Sequence, residues 1–134
     1  MRGVVVLALA VLALAASAAL HAGTSSPTSL RISFWEDGSG TPDSVWTLHC
    51  SPADGSLTQP ARACKKLAAG GVKLFAPVPP TVVCTEIYGG PQRARIVGTV
   101  AGKRVWTTFT RANGCEISRW VRVSPWLLPP GGVT

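Results

Sequence analysis

Four cysteines, Cys50, Cys64, Cys84 and Cys115, fall within a stretch of chain too short for burial alone to give a comfortable margin of stability. An even count reads as two disulfides, and the residues alone leave three connectivities open. The chain-entropy model gives each bridge about 3–4 kcal/mol if it closes a loop of about 15 to 30 residues. That is comparable with the whole stability of a domain this size. There is no C-x-x-C pair, and His49 is the only histidine outside the first 22 residues. A metal site is therefore not expected.

An oxidising destination is consistent with the N-terminus. Arg2 supplies a positive charge, and Gly3 to Ala16 run almost wholly through Val, Leu and Ala. This is the length of a secretory signal core and shorter than the roughly 20 apolar residues of a spanning helix. Small residues at Ala16, Ser17, Ala18 and Ala19 suit a cut near residues 18–22. The expected organisation is a signal peptide over 1–22 and a single domain over 23–134, ending in a frayed Pro/Gly-rich tail from Leu128. The expected localisation is secreted and extracellular, with no membrane association once the signal is removed.

The charge balance is +7, or +6 without Arg2. Its cations are scattered over Lys65, Lys66, Arg93, Arg95, Lys103, Arg104, Arg111, Arg119 and Arg122, which reads as a solvated surface. No nucleic-acid partner is expected. Leu30, Ile32 and Phe34 alternate with Arg31 and Ser33 as in a half-buried strand, and Asp37-Gly38-Ser39-Gly40 then turns the chain. Val45 to Cys50 reads as a second strand. Pro60 opens a helix that Gly70-Gly71 stops. Pro77, Pro79 and Pro80 make Val72 to Val83 extended and irregular. Arg93 to Val100, Lys103 to Arg111 and Cys115 to Val123 read as three further strands.

Catalysis is not expected. No serine sits in a nucleophile elbow, and a triad would have to use His49 beside Cys50. There is no phosphate-binding glycine loop, and no cofactor is expected. Glu86 and Glu116 are the two acids beside ordered elements, and each lies within two residues of a cysteine. The informative stretch is Thr81-Val82-Val83-Cys84-Thr85-Glu86-Ile87-Tyr88-Gly89-Gly90-Pro91. It carries Val, Ile and Tyr beside a cystine and rigid prolines, which suits a segment held extended for a partner's cleft. The competing reading makes Cys84 to Tyr88 simply another strand.

Several segments together resemble the subtilisin inhibitor-like family of secreted actinobacterial serine-protease inhibitors. They are Leu48-His49-Cys50-Ser51-Pro52, Ala61-Arg62-Ala63-Cys64 with Leu67 to Gly71, Cys84-Thr85-Glu86-Ile87-Tyr88, Gly98-Thr99-Val100 through Val105, and Asn113-Gly114-Cys115-Glu116. The resemblance implies an α+β fold, a five-stranded antiparallel sheet with two helices, bridged Cys50–Cys64 and Cys84–Cys115. It implies a homodimer through the sheet and a reactive bond between Glu86 and Ile87. Val83, Cys84, Thr85 and Tyr88 would complete the reactive loop, with Asn113 supporting it from beneath.

Two departures stand out. The family more often presents Met, Lys or Arg where this chain has Glu86, so the implied partner is an extracellular serine protease that is subtilisin-like or glutamate-preferring. The family also often has an acid and a proline after the tyrosine, where this chain has Gly89-Gly90. Paired glycines predict a looser far flank of the loop. The alternative function on the same scaffold is a non-inhibitory, basic cell-envelope binding protein.

Overall fold

The structure is a computed structural model that describes residues 27–131. The expected signal peptide lies outside the described residues, as do the last three residues of the tail. Four strands form one antiparallel sheet in the order β2-β1-β3-β4: β1 (Thr28–Trp35), β2 (Ser44–Cys50), β3 (Arg93–Val100) and β4 (Lys103–Phe109). Two hairpins, β1–β2 and β3–β4, meet where β1 pairs with β3, Ile32 opposite Ile96. Between β2 and β3 the chain crosses one face of the sheet through α1 (Pro60–Gly70), a 3₁₀ turn (Gly71–Phe75) and a long irregular segment. After β4 it forms α2 (Gly114–Val123).

The sheet has four strands rather than the five expected. Cys115, Ile117, Arg119, Val121 and Val123 alternate like a strand, yet this segment is α2. Two local facts decide it. Asn113 Oδ1 accepts a hydrogen bond from Glu116 N at 3.0 Å, capping the first turn. Arg119, Trp120 and Val123 are buried at helical spacing, whereas Val121, which a strand would place on the same side as Val123, is exposed.

Period-two alternation sends Leu30, Ile32, Phe34, Leu48, Ala94, Ile96, Val105 and Phe109 to the face covered by the helices. Ala63 and Leu67 of α1, Phe75, and Trp120 and Val123 of α2 close over them. Trp120 is fully buried, edge-on to Phe34 at 6.2 Å, and its indole Nε1 donates to Pro129 O at 2.8 Å. That bond holds the start of the tail against α2. Leu127 and Leu128 are each 1 % exposed, so the tail is packed at its first residue. Burying a leucine contributes about 1.5–3 kcal/mol, against about 1–2 for fixing its backbone, and burial wins. Among the described residues no helix or strand lies over the sheet's other face.

Candidate functional site

Between the 3₁₀ turn and β3 the chain runs from Ala76 to Gln92 without strand or helix. Cys84 to Tyr88 is therefore a loop and not a further strand. Its apolar residues face outward: Val83 is 95 % exposed, Ile87 62 % and Tyr88 63 %. Thr85 and Glu86 are exposed as well. Such a row of side chains in solvent is unfavourable unless something else covers it.

The loop is held at several points. The Cys84–Cys115 bridge ties it to the first turn of α2, with 5.4 Å between the Cα atoms. The other bridge, Cys50–Cys64, joins β2 to α1. These are the pairs that the resemblance implies. Next to the first bridge, Gly114 N donates to Thr85 O at 3.0 Å. Four residues further along, Gly89 N donates to Arg111 O at 2.8 Å, and Arg111 Nε donates back to Gly89 O at 2.9 Å. Glu86, Ile87 and Tyr88 thus span two fixed points, and among the described residues their backbones make no hydrogen bond to the protein. The Glu86 carboxylate has no ion-pair partner among the described residues.

Two buried arginines account for much of the bracing, and neither was recognisable as such in the sequence. Arg111, 7 % exposed, lies over the Trp120 ring at 5.8 Å while it bonds Gly89. Arg119, 5 % exposed, donates from Nε to Ala76 O at 2.9 Å, from Nη1 to Thr108 O at 3.2 Å and from Nη2 to Thr107 Oγ1 at 3.1 Å. Its Nη1 also pairs with Glu116 Oε2 at 2.7 Å. One side chain thereby fastens the root of the loop to β4 and α2. A charge census counts these residues as surface cations; only their neighbours show otherwise. Glu116 spaced three residues before Arg119 was the one local hint.

The far flank is closed rather than loose. Gly89 and Gly90 are buried, and a Cβ at Gly89 would come within 2.8 Å of Ile117 Cδ1. Glycine here permits close approach to α2. Asn113 is engaged in capping α2, and its neighbours Arg111 and Gly114 make the bonds to the loop that were expected of it. The Arg119→Leu variant is expected to lose about 3 kcal/mol of stability in urea unfolding, because Glu116 and three acceptors would lose a buried donor. An unchanged midpoint would refute that role.

Among the described residues no group of His, Cys, Asp and Glu is placed to hold a metal ion, and no helix is long and apolar enough to cross a membrane.

No curated protein matches the chain. Among solved structures, that of Streptomyces caespitosus sermetstatin in complex with Bacillus licheniformis subtilisin is similar, with a TM-score of 0.52 and 28 % sequence identity. The match covers 78 % of this chain and 99 % of that one. The family model described as subtilisin inhibitor-like matches residues 26–113, from the start of the sheet to the cap of α2. The chain belongs to the subtilisin inhibitor-like family.

Proposed function

We propose that the chain is a secreted, substrate-like inhibitor of a subtilisin-type serine protease, with Glu86–Ile87 as the bond presented to the enzyme. As a member of this family it is not an enzyme. The similar sermetstatin is itself an inhibitor seen bound to a subtilisin, which supports a protease of that type as partner. The observation that carries the reading is the exposed span Glu86–Tyr88 suspended between two anchored points.

Glu86 enters the primary pocket of the enzyme, with Thr85 and Cys84 behind it and Ile87 and Tyr88 ahead. The backbones of Glu86, Ile87 and Tyr88, which make no hydrogen bond among the described residues, are free to pair with an extended-substrate cleft. Ordering of the loop is complete before association, so little binding free energy is lost to it. After the enzyme's serine attacks the Glu86 carbonyl, the amine at Ile87 stays close, because Gly89 is held by Arg111. The acyl side stays because Cys84 is bonded to Cys115. Re-forming the peptide bond is then faster than losing either half.

The test is titration of the purified secreted protein against subtilisin, trypsin and a glutamyl endopeptidase, following residual activity. Stoichiometric loss with subtilisin or the glutamyl endopeptidase, and slow cleavage confined to Glu86–Ile87, is expected. Inhibition of none of the three, or cleavage elsewhere in the chain, would overturn the proposal.

A further inference from the structure

Everything after Asn113 lies outside the residues matched by the family model, yet the C-terminal tail comes back to the loop. Leu127 N and Leu128 N both donate to Val123 O, at 2.9 and 3.2 Å, which folds the chain over the end of α2. Pro129 O then accepts from Trp120 Nε1 at 2.8 Å. Pro129 and Pro130 fix the next two φ angles. The chain so held brings Gly131 against the guanidinium of Arg111.

That approach leaves no room for a side chain. A Cβ at Gly131 would overlap Nη1, Cζ and Nε of Arg111. Gly131 does not have a positive φ, so glycine is needed here for space and not for backbone freedom. A clash with the end of a long side chain is ordinarily relieved by swinging that end aside. Here the end is occupied. Arg111 Nε donates to Gly89 O at 2.9 Å, Cζ stands 5.8 Å from the Trp120 ring, and a Cβ at Gly89 would lie 3.2 Å from Nη2. Arg111 is buried, so no open solvent takes the displaced group. Room at residue 131 is therefore made at the expense of the bond to Gly89. Gly89 stands two residues after Ile87, on the amine side of the presented bond.

We infer that Gly131 is a positioning residue of the inhibitory loop. Packed without a side chain against Arg111, it keeps the guanidinium on Gly89 and so keeps the amine of Ile87 beside the acyl carbon after attack. The effect on inhibition rests on the inhibitory reading; the packing of the tail on Arg111 does not. The tail works as a strap. One end is fixed at Val123 and Trp120, the proline pair sets where Gly131 sits, and Gly131 gives the guanidinium a third contact besides Gly89 and Trp120.

The Gly89 amide reports the brace in the free protein, because its hydrogen bond to Arg111 O is one of the pair. The experiment is hydrogen exchange at that amide, followed by NMR, beside cleavage of the loop by the protease that the parent blocks. In Gly131→Val the amide is expected to exchange about tenfold faster, as for the net worth of one hydrogen bond, with the urea midpoint unchanged. Pro129→Gly/Pro130→Gly keeps the contacting residue but frees the tail, and about threefold faster exchange is expected. In an Arg111→Met background, adding Gly131→Val is expected to change exchange by less than about twofold, because the effect runs through the guanidinium. The cut at Glu86–Ile87 should accumulate about tenfold faster in Gly131→Val, while the association rate matches the parent. Parent-like exchange in Gly131→Val would overturn the strap, as would full additivity with Arg111→Met. Faster exchange with a parent-like rate of cleavage would overturn the positioning role. Failure of the inhibitory reading shows in the parent's own titration and leaves the exchange result untouched.

Discussion

A Cys84→Ser/Cys115→Ser variant is expected to be hydrolysed as a substrate by the protease that the parent protein blocks. The loop has two sides, and they are held unequally. On the amine side Gly89 exchanges two hydrogen bonds with Arg111, whose guanidinium is buried against Trp120. On the acyl side the fastenings near the bond are the cystine and the single bond from Gly114 N to Thr85 O. One such hydrogen bond is worth about 1 kcal/mol net, too little to keep a cut end in place. With the cystine gone, the acyl half swings away on its tether to Ala76, and its effective concentration at the amine falls.

Inhibition should weaken by about 10³-fold, equivalent to about 4 kcal/mol. Progress curves should turn from lasting loss of activity to recovery, with mass spectrometry placing the cut at Glu86–Ile87. The control is Cys50→Ser/Cys64→Ser. That bridge closes a separation of 14 residues and is worth about 3 kcal/mol of fold stability, but it does not touch the loop. Its variant should melt earlier and still inhibit where near-UV circular dichroism shows it folded. Lasting inhibition by a folded Cys84/Cys115 variant would mean that the arginines alone hold the loop.

Where local pattern and tertiary packing agree, the sequence was readable. β1, β3 and β4 announce themselves by alternation because one face is buried and the other is not. α1 is framed by Pro60 and by the glycines at its end. α2 reads as a strand because its apolar residues also alternate, and the signal that resolves it is Asn113 three residues before Glu116. The disulfide pairing is not contained in local pattern; it comes with the resemblance, as does the proposal that Glu86–Ile87 is the bond presented to the enzyme.

The roles of Arg111 and Arg119 were hidden for another reason. A guanidinium is buried only where acceptors or an aromatic face meet it, and the convergence of Ala76, Thr107, Thr108 and Glu116 on Arg119, like that of Gly89 and Trp120 on Arg111, is a property of the folded chain. Gly89-Gly90 misled in the opposite direction. Intrinsic freedom predicts looseness, but packing against Ile117 and bonding to Arg111 remove it.

Replacing Glu86 should redirect the protein among proteases without disturbing the fold. The side chain is exposed and has no ion-pair partner among the described residues, and its backbone makes no hydrogen bond to the rest of the protein there. Nothing in the free protein should register the change, and the melting temperature of Glu86→Lys should match the parent within about 1 °C. In a complex the position is decisive. A trypsin-type pocket carries a carboxylate, and a second one placed against it costs several kcal/mol through repulsion and lost hydration. Reversing the sign turns that repulsion into a pair. Glu86→Lys is therefore expected to inhibit trypsin at least about 10³-fold more tightly than the parent and to lose any hold on a glutamyl endopeptidase. Glu86→Leu removes the charge and should bind subtilisin about tenfold more tightly, since an apolar pocket no longer strips water from a carboxylate. The measurement is the inhibition constant of parent and both variants against all three enzymes. If none of the constants moves, Glu86 does not enter a pocket, and the bond presented to the protease lies elsewhere.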